Sequence, residues 1–277
     1  MNILKITKAD LNKDNEYIGG AIGEYFNPAD THVEIAANLG YVNFKGIYVK
    51  GYIKAEAGSG IKAGLGITAG EGIEAGSGIK AGLGITAGEG IKAGLGIKAG
   101  WGIEAGSGIT AGEGIEAGLG ITAGEGIKAG LGITAGEGIK AGLGIKAGWG
   151  ITAGEGIKAG EGIEAGSGIK AGEGIEAGLG IKAGWGITAG EGIKAGEGIE
   201  AGDDIFCKLH LSFSYKLFAG TSPWTNNANK TVTCGKLVKG TIAYGDLIET
   251  GLPDEETVED SIKEIIELNG KKYQLIG

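Results

Sequence analysis

Hydrophobic and polar positions alternate with a strict period of six residues through the middle of the chain. From Ile61 to Ile199, 24 hexads read almost uniformly I-x-A-G-X-G, where x is Lys, Thr or Glu and X is Leu, Glu, Ser, Trp or Asp. An α-helix needs apolar residues three and four apart, and each glycine would cost it about 1 kcal/mol. In an extended strand, Ile and Ala point to one side and x to the other. The pattern predicts short strands joined by corners at the glycine pairs, where a positive φ or a close chain approach is needed.

Stacking of these corners predicts an all-β fold, a parallel β-solenoid with a column of isoleucines along its centre. One coil buries its isoleucines only against its neighbours, so the stack needs a cap at each end. Residues 1–60 are predicted to be an N-terminal cap with lead-in coils, residues 61–204 the solenoid, and residues 205–277 a strand-rich C-terminal capping domain. In the last range, a hairpin or a short helix is expected near Asn269-Gly270, which is a strong turn signal.

The number of hexads in one coil decides which side chains are neighbours. Three hexads give an 18-residue coil, and two hexads give a 12-residue coil. At position x, the 18-residue coil stacks 4 like-charge and 7 opposite-charge pairs, whereas the 12-residue coil stacks 8 and 3. Like charges on neighbouring strands repel, which favours the three-sided, 18-residue coil. The shorter coil stays open, because residues 85–103 recur identically at 133–151, a shift of 48 residues that is not a multiple of 18.

The repeat resembles the hexapeptide-repeat proteins, which form left-handed β-helices from a small-x-aliphatic-small motif. The resemblance covers residues 61–204 and implies a parallel β-helix. Here Ile occupies the small position and Ala the aliphatic one, so the resemblance does not decide the handedness. Acyltransferases of that group use a histidine at a coil edge. This chain has only His32 and His210, both outside the perfect hexads, and a structural role is expected for each.

The charge of the chain narrows the kind of partner. Its net charge is −9, of which −7 belongs to residues 61–204, and all 25 basic residues are lysine. Phosphates and base edges are recognised mainly by arginine, so direct binding of nucleic acid is not expected. No apolar run is long enough to span a membrane, and the N-terminus does not have the pattern of a signal peptide. We expect the chain in the cytoplasm of a phage-infected bacterial host, or in a virion.

No catalytic, cofactor or metal site is predicted. The recurring G-x-G-x-x-A match is a by-product of the period, since no strand-turn-helix unit surrounds it. Two histidines and two cysteines show no ligand spacing. Cys207 and Cys234 are expected to be free thiols, although a disulfide between them stays open. The chain is therefore expected not to be an enzyme.

Candidate partner-binding residues come from position X on an 18-residue coil. One ladder runs through Leu65, Leu83, Trp101 and Leu119 into Glu137, Glu155, Glu173 and Glu191. A second is mostly acidic, and a third, mostly apolar, holds Trp149 and Trp185. The glutamates either keep the rod soluble or form a binding stripe. The tryptophans either anchor a partner or cover bare backbone. The predicted partner-binding residues are Glu137, Glu155, Glu173, Glu191, Trp101, Trp149 and Trp185.

Two functional hypotheses follow. In the first, an acidic rod about as wide as a nucleic-acid duplex binds a protein partner. That partner would be a basic nucleic-acid enzyme, such as a restriction or CRISPR nuclease, whose channel a phage-encoded DNA mimic would occupy. In the second, the solenoid is a structural spacer in a phage tail fibre or cell-surface adhesin. Neither hypothesis decides between a monomer, a dimer and a trimer.

Overall fold

The computed structural model describes residues 2–19, 26–27, 30–222, 229–253, 265–268 and 271–274. Seven strands and a short 3-10 helix (Lys8–Asp10) form the N-terminal part and the first coils. The strands are β1 (Asn2–Ile6), β2 (Thr31–Ile35), β3 (Gly40–Phe44), β4 (Ile47–Val49), β5 (Ile53–Ala55), β6 (Ser59–Ala63) and β7 (Ile67–Ala69). The strands β8 to β29 then begin at every sixth residue, from Ile73–Ala75 to Ile199–Ala201, each with the sequence Ile-x-Ala.

The chain forms a three-sided parallel β-solenoid with 18-residue coils. Each strand pairs in parallel with the third strand before it and the third after it, so that Ile85 pairs with Ile67 and Ile103. Every third strand therefore belongs to one face. In steps of three strands, face A runs from β7 through β10 to β28. Face B runs in the same way from β8 through β11 to β29, and face C from β6 through β9 to β27. The predicted fold and the 18-residue coil are confirmed, and the 12-residue alternative is wrong.

The core follows the hexad pattern. The 24 repeat isoleucines are at most 2% exposed, and the alanines two residues later are at most 8% exposed. Each coil thus fills its triangular interior with three isoleucines and three alanines, and equivalent residues stack directly on one another. The x residues between them point outward on the three faces.

The two glycines of each hexad have different tasks. No glycine in residues 61–202, all of which the structure describes, has a positive φ. At the first glycine, such as Gly136, an added Cβ would overlap the carbonyl oxygen of Gly118 in the preceding coil. At the second, such as Gly138, an added Cβ would lie 3.3 Å from the carbonyl oxygen of Gly156 in the next coil. Close approach of stacked backbones, and not a left-handed conformation, makes the corners glycine-rich.

The N-terminal coils are slightly longer than the repeat. Ile53 pairs with Ile73, and Val42 pairs with Ile61, separations of 20 and 19 residues. At this end the core is covered by β1 and by an aromatic cluster, in which the ring centroids of Tyr17 and Phe26 are 4.8 Å apart. These elements lie within residues 1–60, the range for which a cap with lead-in coils is predicted.

The solenoid continues beyond the perfect hexads. The next strands are β30 (Ile205–Cys207), β31 (His210–Phe218), β32 (Thr231–Cys234), β33 (Lys236–Tyr244) and β34 (Asp246–Glu249). Face C runs on through β30, β32 and β34, and it forms a sheet of 12 strands. The single strand β31 pairs with β28 at Leu211 and with β29 at Leu217, so it extends both face A and face B.

The last described strands form a separate antiparallel pair. The strands β35 (Ile265–Leu268) and β36 (Lys271–Gln274) pair with each other. Of the two elements expected here, the hairpin is therefore the one found, while the predicted turn at Asn269-Gly270 lies outside the described residues. No helix within the described ranges has the length and apolar character needed to cross a membrane.

Candidate functional site

The three corners of the solenoid carry the X residues. Between faces C and A lies corner CA, with Leu65, Leu83, Trp101, Leu119, Glu137, Glu155, Glu173 and Glu191. Between faces A and B lies corner AB, with Glu71, Glu89, Ser107, Glu125, Leu143, Glu161, Leu179 and Glu197. Between faces B and C lies corner BC, with Ser77, Leu95, Glu113, Leu131, Trp149, Ser167, Trp185 and Asp203. The structure thus brings the four predicted glutamates together on one corner.

Backbone hydrogen bonds hold each corner ladder in register. The amide of each X residue donates to the carbonyl of the X residue one coil earlier. The N–O distance is 3.3 Å from Glu155 to Glu137 and 3.2 Å from Glu191 to Glu173. Neighbouring strands are about 4.8 Å apart, so four consecutive rungs extend over roughly 14 Å. The corner glutamates consequently form a straight row on a rigid backbone.

Lysines neutralise most glutamates on the faces. Six of the seven opposite-charge neighbours at position x form ion pairs of 2.7 to 3.2 Å, such as Lys146 with Glu164 and Lys98 with Glu116. Glu176 accepts hydrogen bonds from both Lys158 and Lys194, and these bonds lower the pKa of its carboxyl group. All of these pairs are exposed, and each is worth at most about 1 kcal/mol.

The corner glutamates have no such partners. Within the described residues, none of Glu137, Glu155, Glu173 and Glu191 has a lysine nitrogen within 4.0 Å. Among the corner glutamates of the described residues, only Glu71 has the nitrogen of a basic side chain within 4.0 Å. Its carboxylate lies 3.6 Å from Nδ1 of His32. That nitrogen also accepts a hydrogen bond from the backbone amide of Tyr52. Negative charge therefore remains uncompensated along the corners.

A shallow trough runs beside the glutamate row on face A. One wall is the row itself, the opposite wall contains Lys140, Lys158 and Lys194, and the floor contains Gly138. The second glycine of each hexad lies between X and the following x residue. Because it has no side chain, the floor of the trough is open. The sequence-based prediction did not include these lysines. The signal for them was present, because x follows X by three residues throughout the repeat.

The three predicted tryptophans do not form one cluster. Trp101 lies on corner CA, in the rung between Leu83 and Leu119, and is 57% exposed. Trp149 and Trp185 lie two coils apart on corner BC and are 64% and 61% exposed. Only the last two share a surface.

Comparisons with known protein families, curated proteins and solved structures found no match to this chain. The structure shows a parallel β-solenoid with 18-residue coils, and no family is assigned.

The two histidines are far apart in the fold. The ring of His32, in β2, stacks on Tyr52 with centroids 4.1 Å apart. His210 begins β31 near the other end of the solenoid. Among the residues that the structure describes, no group of three His, Cys, Asp or Glu side chains could hold a metal ion.

Cys207 and Cys234 are free and buried on neighbouring rungs of face C. Burial, with a smaller contribution from Cys234, raises the pKa of the Cys207 thiol to about 12. Burial and the Glu249 carboxylate raise the pKa of Cys234 as well.

Both thiols should resist an aromatic disulfide reagent at about pH 8 in the native protein, because only exposed thiolates react rapidly. Both should react at once in denaturant. The raised pKa of Cys207 also predicts that the contribution of this thiol to stability is constant below pH 9 and falls as the pH rises from 9 towards 12. Thiol titration by absorbance, with Cys207→Ala as the matched variant, tests this. Rapid labelling of the folded protein would contradict it.

Proposed function

We propose that this chain is a non-enzymatic rod that binds a basic protein surface through the glutamates of corner CA, as a mimic of nucleic acid. The proposal rests on the distribution of charge, since the lysines lie on the faces and most of the glutamates lie on the corners. In the 24 hexads, position x holds 11 lysines and 6 glutamates, whereas position X holds 10 glutamates, one aspartate and no lysine. The rod is acidic because its projecting edges are acidic.

The row at corner CA has properties that a basic channel would recognise. Four carboxylates repeat at about 4.8 Å along a straight backbone ladder. One strand of a duplex carries a phosphate about every 3.4 Å. Stacked like charges destabilise the solenoid slightly, so four in succession are a cost that a binding role explains. A pre-formed row also loses little conformational entropy on binding.

The setting that fits such a rod best is inhibition of a nuclease, including the restriction and CRISPR nucleases of a bacterial host, by a phage-encoded protein. Nucleic-acid enzymes concentrate positive charge in channels that accept a duplex, and an acidic rod would be steered towards them by long-range attraction. The attraction should weaken with ionic strength.

The test compares two variants of equal net charge. The ladder variant carries Glu→Gln substitutions at Glu137, Glu155, Glu173 and Glu191. The matched control carries them at Glu89, Glu113, Glu125 and Glu161, which are spread over the other two corners. Both should fold like the parent, since Leu, Ser and Trp occupy equivalent positions.

Tagged parent and variants are incubated with a bacterial lysate at about 50 mM and about 500 mM salt, where the screening length differs about threefold. We expect a partner that the parent and the control capture at low salt, that duplex DNA displaces, and that the ladder variant does not retain. Equal capture by the two variants, or a partner that duplex DNA fails to displace, would overturn the proposal.

A second candidate, a structural spacer, is favoured by the internal duplications. The 48-residue shift between residues 85–103 and 133–151 moves the tryptophan from corner CA to corner BC. The duplicated segment places the same residues on a different corner. This is consistent with selection for the length of the solenoid alone. On this hypothesis the tagged chain captures no partner through the glutamate row.

A further inference from the structure

We propose that Trp149 and Trp185 form a two-ring platform on corner BC for a linear β-1,4-linked glycan. Both indoles project from the same edge of the solenoid, and most of each side chain lies in solvent. An aromatic side chain that is held rigidly and exposed is an anchor for a ligand with an apolar face. This site is separate from the glutamate row of corner CA, so it goes beyond the function proposed above.

The corner itself does not need a tryptophan. Ser167 occupies the rung between the two indoles, and its backbone makes the same ladder. Its amide donates to the carbonyl of Trp149 at 3.2 Å, and its carbonyl accepts from the amide of Trp185 at 3.3 Å. A small polar residue thus serves the backbone as well as an indole does. Covering the glycine-rich backbone is therefore not what requires Trp149 and Trp185.

The spacing of the rings matches a repeating ligand. Two rungs of about 4.8 Å each place the indoles roughly 9.6 Å apart along the rod. In a β-1,4-linked chain of pyranoses, every second sugar presents the same face, and the disaccharide repeat has nearly this length. Alternate sugars can therefore stack on Trp149 and Trp185, while Ser167 leaves room for the sugar between them.

The chemistry of the sugar also matches that of the indole surface. In gluco-configured β-linked pyranoses, the ring hydrogens are axial, so each side of the sugar presents C–H groups. These groups carry slight positive charge and pack on the negative face of an indole. From Leu131 to Trp185, corner BC bears no charged residue, which suits a ligand that is neutral.

Hydrogen-bonding groups flank both indoles in the same way. Lys146 precedes Trp149 by three residues and Lys182 precedes Trp185 by three, on face B. Thr152 and Thr188 follow them by three residues on face C. All four side chains are exposed. Lys146 and Lys182 each form one ion pair, with Glu164 and Glu200, and their remaining N–H groups and the two threonine hydroxyls can meet the equatorial hydroxyl groups at the edges of a stacked sugar. The platform is thus one sugar-binding unit repeated at an interval of two coils.

Affinity electrophoresis tests the proposal on the full chain. Gels contain hydroxyethylcellulose, glycol chitin or no polymer, and a soluble β-1,3-glucan serves as the linkage control. We expect the parent to be retarded by at least one β-1,4-linked polymer and not by the β-1,3-glucan. Comparison of the first two gels shows whether glucose or N-acetylglucosamine chains are preferred.

Trp149→Ala and Trp185→Ala should each lower the affinity by about tenfold, and Trp101→Ala should not change it. Trp101 is the matched control because it is similarly exposed but lies alone on corner CA.

A second variant tests the spacing. Exchange of two residues, S167W with W185S, keeps the composition and brings the rings one rung apart, about 4.8 Å. This variant should also lose binding. Unchanged retardation of either alanine variant or of the exchanged variant, or no retardation of the parent, would overturn the proposal. All of these variants keep the glutamates of corner CA, so the two proposals can fail separately.

Discussion

Gly136→Ala should destabilise the rod by about 3 kcal/mol or more, whereas Gly138→Ala should cost about 1 kcal/mol or less. The two glycines flank the same corner residue, Glu137, yet they meet different surroundings. A Cβ at Gly136 overlaps the carbonyl oxygen of Gly118, and ladder hydrogen bonds on either side of Gly118 hold the two coils at this separation. A Cβ at Gly138 lies 3.3 Å from the carbonyl oxygen of Gly156, which a small shift can accommodate.

The effect of alanine on the unfolded state cancels in this comparison. Alanine reduces the conformational freedom of the unfolded state equally at both positions, by about 0.4–1 kcal/mol in favour of folding. The difference between the two variants therefore reports the clash alone. Urea unfolding followed by circular dichroism gives both midpoints. Equal midpoints would show that the stacked backbones are not as close as the structure describes.

Ile133→Ala should cost about 2–5 kcal/mol, the usual range for removing three buried carbon atoms where the surroundings cannot collapse. Ile133 is fully buried and stacks between Ile115 and Ile151 in the column of face C. Its neighbours cannot fill the space, because the backbone of each is held by hydrogen bonds to the adjacent coils. The cavity then weakens both coil interfaces, on which a solenoid depends.

The matched control is Thr134→Ala in the same strand. Thr134 is exposed between Glu116 and Thr152, so its replacement should change stability by no more than about 0.5 kcal/mol. Thermal and urea unfolding of the two variants measures the difference. If both variants unfold at the same midpoint, the isoleucine column does not stabilise the stack.

Stacked charges make the coil length predictable from the sequence. The 18-residue coil follows from the preference for opposite charges on neighbouring coils. Lys146, for example, is more stable beside Glu164 than beside another lysine, and the same preference acts on all three faces. The duplication with a 48-residue shift points the other way. It is misleading because all hexads are structurally equivalent, so a copied segment can begin on any face. Trp101 and Trp149 consequently lie on different corners despite identical surroundings in sequence.

The C-terminal coils show where prediction from the sequence ends. Alternating residues after Ile205 indicate strands but not their partners. Ile205 pairs with Val232 and Val232 with Leu247, separations of 27 and 15 residues. Coils of unequal length have no common period from which the register could be predicted. Their register depends on which inward side chains stack on the last regular coil.

The sequence by itself determined the inward isoleucines and alanines, the outward x residues and the placement of X at a corner, because a period of six assigns one direction to each position of a strand. The tertiary structure alone decided three other features. It showed which glycine must lack a Cβ, since that depends on the backbone of the preceding coil. It showed that lysines pair with glutamates on the faces and leave corner CA uncompensated. It set the spacing of Trp149 and Trp185 at two rungs, because residues 36 positions apart lie two coils apart when each coil closes after three sides and three coils apart when it closes after two.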